Sequence, residues 1–299
     1  MYSTDRAKQL DCTIACLKDM QLYPQAQKTL IVDGKMSGLV HDDWSVVEVP
    51  RFNNEFCWGH MWDAGVATAK NEIVLYLDSD RLWPHTLLED VVRKIDHNSF
   101  LFTSQHFMLL QDMPLESCKR FLRNSESNGI LMDDEFFGKL KYEPRWPKPP
   151  RGHGKNVMSG GTAFTRTTYF KVGPVDPWYR GHGAFADTDF HQKAFIAGCK
   201  FVDLKIPELH LHHDRIDGER SLDHMEYMRL GLNNFIYYVR KWGLPKMYAE
   251  DMAYKLGVFQ AKKYVTERFA QLEDSQLQPV ASNSEMPAFE DSVPVGEQT

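Results

Sequence analysis

The chain has 299 residues, 42% hydrophobic and 25% charged, which is enough to bury a sizeable core in one catalytic domain with at most a small appendage. A formal net charge of −6 argues against a globally basic nucleic-acid binder. No apolar run of roughly eighteen residues occurs and the first residues lack the apolar stretch of a secretory signal, so no transmembrane segment and a soluble, cytoplasmic protein are expected.

In chain order, residues 6–22 place Leu10, Ile14, Leu17 and Met20 or Leu22 at helical spacing, and Lys28 to Asp33 reads as a buried strand stopped by a turn at Gly34. Val46 to Pro50 is a second short strand, and Trp58 to Ala69 has helical spacing through Met61, Trp62, Gly65 and Val66. Glu72 to Leu77 is continuously apolar after its first residue and too short for a helix, which predicts a buried parallel strand; a helix from Thr86 to Ile95 follows. Phe100 to Ser104 is strand-like, and Pro144 to Gly154 is a loop by its Pro and Gly content. Residues 156–213 return to short strands, including Phe201 to Ile206, with one helix from Thr188 to Ala197 stopped by Gly198. Helices are expected over 220–272, and the acidic, Ser/Pro/Gln-rich residues 273–299 read as a disordered tail. Alternating strand and helix predict an α/β sheet flanked by helices. The five cysteines, Cys12, Cys16, Cys57, Cys118 and Cys199, are expected to be reduced core thiols.

Asp78 and Asp80, separated by one residue at the end of the strongest predicted strand, occupy the crevice where ligands of open α/β sheets bind. Paired carboxylates suit a magnesium or manganese ion, which keeps coordination positions open for phosphate oxygens. His210, His212 and His213 lie within four positions after a strand; carboxylate plus imidazole is a metal-ligand set, and the pattern does not choose among the three. In a continuous strand His210 and His212 would share one face and His213 would point to the other. Asp187 precedes a helix, where a carboxylate is stabilised as an anion, and from its position it reads as an N-cap. Asp33, before Gly34, reads as a turn residue, and Trp178 and Tyr179 either stack on a ligand's ring face or belong to the core. The cationic, Gly-flanked stretch 144–154 is either a lid or a solvated loop.

The run from Trp62 through Asp78-Ser-Asp80 to Pro84 resembles the donor half of GT-A glycosyltransferases of the family 2 kind, including their chondroitin-polymerase and galactosyltransferase relatives. Gly160-Gly161-Thr-Ala-Phe-Thr-Arg166, Val172-Gly-Pro-Val-Asp176 and Gly181 to Phe190 are similar to the acceptor half, and Asn233-Asn-Phe and Lys241-Trp-Gly243 are also similar. The resemblance implies a GT-A, Rossmann-like mixed sheet flanked by helices: a nucleotide-sugar half over 1–100, an acceptor and catalytic half over 101–219, C-terminal helices over 220–272 and the tail over 273–299. It implies metal ligation by Asp80 and His213 with Asp78 supporting the metal or ribose, a base contact from Asp33, and donor contacts from Gly160 and Gly161. It favours UDP-sugar over GDP-sugar as donor, Mn2+ or Mg2+ as cofactor, and a glycan or other hydroxyl as acceptor. Inversion with Asp187 as base is implied, although Ala186 stands where the family carries Glu. The family's opening strand is not seen before the first helix, where only Met1 to Thr4 precede Asp5.

The competing readings are a retaining GT-A enzyme, for which a hydroxymethylated DNA base is one acceptor, a nucleotidyltransferase, and a non-catalytic sugar-nucleotide-binding protein. The acidic balance weighs against DNA. The nucleotidyltransferase reading lacks the Gly-rich, basic phosphate loop that it needs near the N-terminus.

Overall fold

The computed structural model describes residues 7–34, 43–51, 58–126, 136, 138–142, 160–179, 185–213 and 231–277. The predicted loop at 144–154, Cys57, and the helical stripe expected through Met225 and Met228 lie outside the described residues. The chain divides into two compact units, Met1–Asn234 and Phe235–Thr299.

The first unit is mixed α/β. Helix α1 (Ala7–Leu17) buries Leu10, Ile14 and Leu17 on one stripe, as the spacing predicts, and the chain then turns through a short 3-10 segment, Tyr23–Gln25. Strands β1 (Thr29–Asp33) and β2 (Ser45–Val49) form a two-stranded parallel pair in the register Thr29 to Ser45. Helix α2 (Trp58–Thr68) follows, then β3 (Ile73–Leu77), the two-residue β4 (Arg81–Leu82), and α3 (Leu87–Lys94). Next come β5 (Ser99–Phe102), β6 (Gln105–Leu109), α4 (Leu115–Glu126), β7 (Leu140–Tyr142), β8 (Gly161–Thr165) and α5 (Arg166–Val172). Helix α6 (Ala186–Ile196), β9 (Lys200–Asp203) and β10 (Pro207–His210) complete this unit's regular elements up to α7 (Leu232–Lys241), which crosses the boundary between the units.

Two four-stranded mixed sheets organise the unit. In one the order is β3-β8-β5-β9, with β3/β8 and β8/β5 antiparallel and β5/β9 parallel. In the other it is β4-β10-β6-β7, with only β10/β6 parallel. The expectation of a buried parallel strand before Asp78 is therefore corrected. Among the described residues β3 has one strand partner, antiparallel β8, and all five of its residues are only partly buried. A short apolar run does not reveal strand direction, and the partner here comes from 88 residues later (Ile73 to Gly161).

The apolar residues of β3 and β8 face two cores. Trp62 of α2 packs its ring against Tyr76, Phe164 and Phe190 at centroid distances of 4.5, 5.4 and 5.4 Å, an aromatic cluster that fixes α2 and α6 to the sheet. Leu17, Met20, Trp83, Leu87, Val91, Leu101 and Ala163 form a second buried group. Cys12, Cys16, Cys118 and Cys199 are free thiols.

The second unit adds α8 (Met247–Lys255) and α9 (Ala261–Leu277) to the larger part of α7, within and just past the 220–272 stretch expected to be helical. No described helix is long and apolar enough to cross a membrane.

Candidate metal centre

Asp78, Ser79 and Asp80 form the tight connection between β3 and β4, and the backbone around them is held from several directions. Asp78 N–H donates to the Gly160 carbonyl at 2.8 Å, and Leu211 N–H donates to the Asp80 carbonyl at 2.9 Å. From α1, the buried Thr13 hydroxyl lies 2.9 Å from the Ser79 carbonyl and 3.0 Å from that of Arg81, and the Cys16 thiol reaches the Trp83 carbonyl. Regular strand bonding cannot satisfy carbonyls in so sharp a turn, and these side chains take that part.

The histidines arrive from β10. This strand ends at His210, so the alternation of faces stops there, and His213 folds back beside His210 with their Nε2 atoms 3.1 Å apart. Asp80 Oδ2 lies 3.2 Å from His213 Nε2 and 3.6 Å from His210 Nε2. The three ligand atoms fall within 4.8 Å of one another. His212 points elsewhere, its Nδ1 3.5 Å from Asp112 Oδ1. Burial and the neighbouring Arg81 charge lower the pKa of His210, against the pull of Asp80, which favours the neutral imidazole that a metal needs. One buried carboxylate and two imidazoles converging on a common point thus fit a divalent ion.

Directly beneath lies a second set of buried polar groups. The β4/β10 register sets Arg81 opposite His210, and the β10/β6 register sets Glu208 opposite His106. Directly opposed residues point to the same side of a sheet, as do residues two apart, so His210, Glu208, Arg81 and His106 share one face. Arg81 Nε lies 3.2 Å from Asp78 Oδ2, and its Nη1 donates to Glu208 Oε1 and lies 3.1 Å from His106 Nδ1. His106 Nδ1 is itself 2.7 Å from Glu208 Oε1. Burial works against the charge on Arg81, but Glu208, Asp78 and Asp80 together outweigh it and hold the guanidinium protonated. Burial raises the pKa of Asp78, with Arg81 opposing and Asp80 adding to the rise.

The two glycines expected at the donor site are fixed by packing. Gly160 has φ +102°, and a Cβ there would stand 2.5 Å from Glu208 Oε2. A Cβ on Gly161 would stand 2.9 Å from Trp83 Nε1. Gly161 pairs with Leu77 in the β3/β8 register, which explains how a segment so distant in sequence reaches the Asp78 turn.

The remaining expected residues stand on other elements. Asp33, at the end of β1, receives Arg51 Nε at 2.8 Å and Nη2 at 2.7 Å, so its carboxylate is gripped by a residue just past the end of β2. Asp187 is the second residue of α6; the N-cap position belongs to Phe185, with φ 51°, which corrects the reading of Asp187 as the cap. Its Oδ1 accepts from the following Thr188 N–H at 2.8 Å. Trp178 is 41% exposed, whereas Tyr179 is fully buried and its hydroxyl donates to the equally buried Asp189 at 3.0 Å. Tyr179 thus takes the core alternative and presents no ring face to a sugar. The structure brings together Asp78, Asp80, Gly160, Gly161, His210 and His213, and adds Arg81, Glu208 and His106, which the sequence did not single out. A lone carboxylate two residues before His210, Glu208, was the available signal; its meaning depends on a cross-strand register that no local pattern carries.

No protein-family model matches the chain, and no curated protein does. Among solved structures the chain is similar to GalNAc-T7, crystallised with UDP, GalNAc and Mn2+, at 14% identity and a TM-score of 0.47, over 90% of this chain and 55% of that one. The chain thus spans about half the length of that protein.

Proposed function

We propose that the chain is a metal-dependent glycosyltransferase of the GT-A kind, taking a hexosyl or N-acetylhexosaminyl group from a nucleoside diphosphate, UDP in the first instance, to an acceptor hydroxyl. The observation that carries this reading is the convergence of Asp80, His210 and His213 at 3.1 to 3.6 Å beside Asp78, at the end of the strand where the motif order sets the donor's diphosphate. Asp80, His210 and His213 would hold the ion, and two imidazoles favour Mn2+ or another transition ion over Mg2+. When bound, a divalent ion neutralises the charge that develops on the leaving diphosphate.

The chain's own groups supply the rest. Gly160 and Gly161 let Glu208 and Trp83 pack closely beside Asp78, Asp33 would meet the nucleotide from the end of β1, and Trp178 offers a half-exposed ring to a sugar face. Asp187, in the first turn of α6, takes the proton of the attacking hydroxyl, and transfer proceeds with inversion. The halves 1–100 and 101–219 then act as donor and acceptor sides of one domain.

Calorimetry with UDP- and GDP-sugars, with and without Mn2+, tests the reading. Binding is expected only with the metal, and slow release of nucleoside diphosphate without an acceptor should accompany it. Metal-independent binding, or none to any nucleotide sugar, refutes the proposal. Asp187→Ala should spare donor binding and remove transfer; transfer at the original rate would withdraw Asp187 as the base.

A further inference from the structure

The acidic groups of the centre divide into two sets, Asp80 facing His210 and His213, and Asp78 and Glu208 facing Arg81. Asp80 is 2% exposed and Glu208 fully buried, and with Asp78 they bring three carboxylates together beside nitrogens of three histidines, His210, His213 and His106. Carboxylate and imidazole clusters of this size commonly accept two divalent ions about 4 Å apart. Here one of the two positions is filled by the chain itself. The Arg81 guanidinium meets Asp78 Oδ2 through Nε and Glu208 Oε1 through Nη1, with His106 Nδ1 at 3.1 Å. A planar fork of donors matches two carboxylates in a way that a point charge does not. Toward Asp80 it reaches only Oδ1, at 3.8 Å, beyond hydrogen-bond distance, while Asp80 Oδ2 faces the two histidines.

We infer that Arg81 stands in the place of a second cation, binding Asp78 and Glu208 beside His106 and leaving a single divalent ion to Asp80, His210 and His213. The inference deepens the metal-dependent reading above and rests on it. Arg81 is a positioning residue: it touches neither donor nor acceptor, and it sets which carboxylate ligates. Asp78 then stands beside the ion and not on it, free of the metal to meet the donor.

Titration with Mn2+ alone, followed by calorimetry and by the electron paramagnetic resonance of free Mn2+, tests this without any sugar nucleotide. The unsubstituted chain should bind one ion, and Asp80→Asn should weaken it by roughly a hundredfold or more, as loss of a direct ligand does. Arg81→Gln should bind Mn2+ at least about tenfold more tightly, or take up a second ion, because a buried positive charge beside the site has gone. A merely structural arginine would give only losses. The double variant Asp78→Asn/Arg81→Gln removes one charge of each sign and should keep one ion within about fivefold of the original affinity. If Arg81→Gln does not fold by circular dichroism, the double variant decides, and failing that the isosteric Asp78→Asn, which should lose far less affinity than Asp80→Asn. Unchanged or weaker binding by folded Arg81→Gln, or a loss in the deciding variant as large as that of Asp80→Asn, overturns the inference and leaves the proposed function standing. An unsubstituted chain that binds no Mn2+ removes both.

Discussion

At the scale of single residues, the centre depends on positions where one atom more would not fit. Gly160 holds φ +102°, a conformation that costs an L-residue about 1–2 kcal/mol, and its missing Cβ makes room for Glu208 Oε2. The Glu208 carboxylate cannot swing aside cheaply, because it is fully buried and tied to Arg81 and His106. Gly160→Ala is therefore expected to lower unfolding stability by about 2–5 kcal/mol through strain and overpacking together, measured as a fall in the urea midpoint. It should also weaken Mn2+ binding, whereas an alanine at the solvent-side Gly198, whose added Cβ meets nothing within 4 Å, should leave the ion unaffected. At this scale the sequence was readable where function depends on neighbours in the chain. Asp78 and Asp80 declare themselves by following an apolar run. The resemblance named His213, but that His210 joins it and His212 does not was not readable from the pattern, because it turns on the strand ending at His210. Arg81 was hidden for a different reason: its partner Glu208 is 127 residues away.

Elements were legible wherever they are long or strongly periodic. Helices α1, α2, α3 and α6 and strands β1, β2, β3 and β5 fall within a few residues of their expected places. The short pieces that assemble the centre were missed. β4 has two residues, and what the sequence offers as one strand before the histidines is two, β9 and β10, in different sheets. Nothing in Phe201 to His210 announces the change of sheet, because both strands carry apolar residues, partly buried in β9 and buried in β10. The junction of β8 and α5 shows how firmly such pieces are tied. Thr165 ends the strand and caps the helix, its Oγ1 accepting from Thr168 N–H at 3.1 Å, while the Thr168 hydroxyl reaches the His97 carbonyl at 2.7 Å. Thr165→Ala leaves an unsatisfied buried donor at the first turn and should cost about 1–2 kcal/mol by denaturant unfolding. Thr165→Ser, which keeps the oxygen, should recover most of that loss. Since Gly161, at the other end of β8, carries the link to the centre, Mn2+ affinity should be unchanged in both variants.

For the whole molecule, acid stability offers a test that separates the two units. His191 of α6 is buried, 8% exposed, with its ring stacked on Phe201 at 4.3 Å, and burial lowers its pKa from 6.5 to about 4. The unfolded chain therefore takes up this proton as the pH drops below about 6.5, while the folded chain resists until about 4, so folding stability falls with pH across that window. A separation of this size corresponds to about 3 kcal/mol, complete near pH 4 and absent above neutrality. Asp63 works the other way. Its burial raises the carboxyl pKa despite bonds from the Tyr169 hydroxyl and Val175 N–H, so it favours the folded state as the pH falls. The net acid limb thus mixes opposite signs, and the histidine's share has to be isolated by difference. Of the seven tryptophans only Trp242 lies in the second unit, so tryptophan fluorescence reports chiefly on the first, while far-ultraviolet circular dichroism includes the helical second unit. His191→Met, which keeps an apolar side chain of similar length, should match the unsubstituted chain less closely as the pH falls, gaining about 3 kcal/mol of relative stability between pH 7 and 4 in fluorescence-monitored urea unfolding. A difference independent of pH would mean that the imidazole reaches solvent in the folded chain.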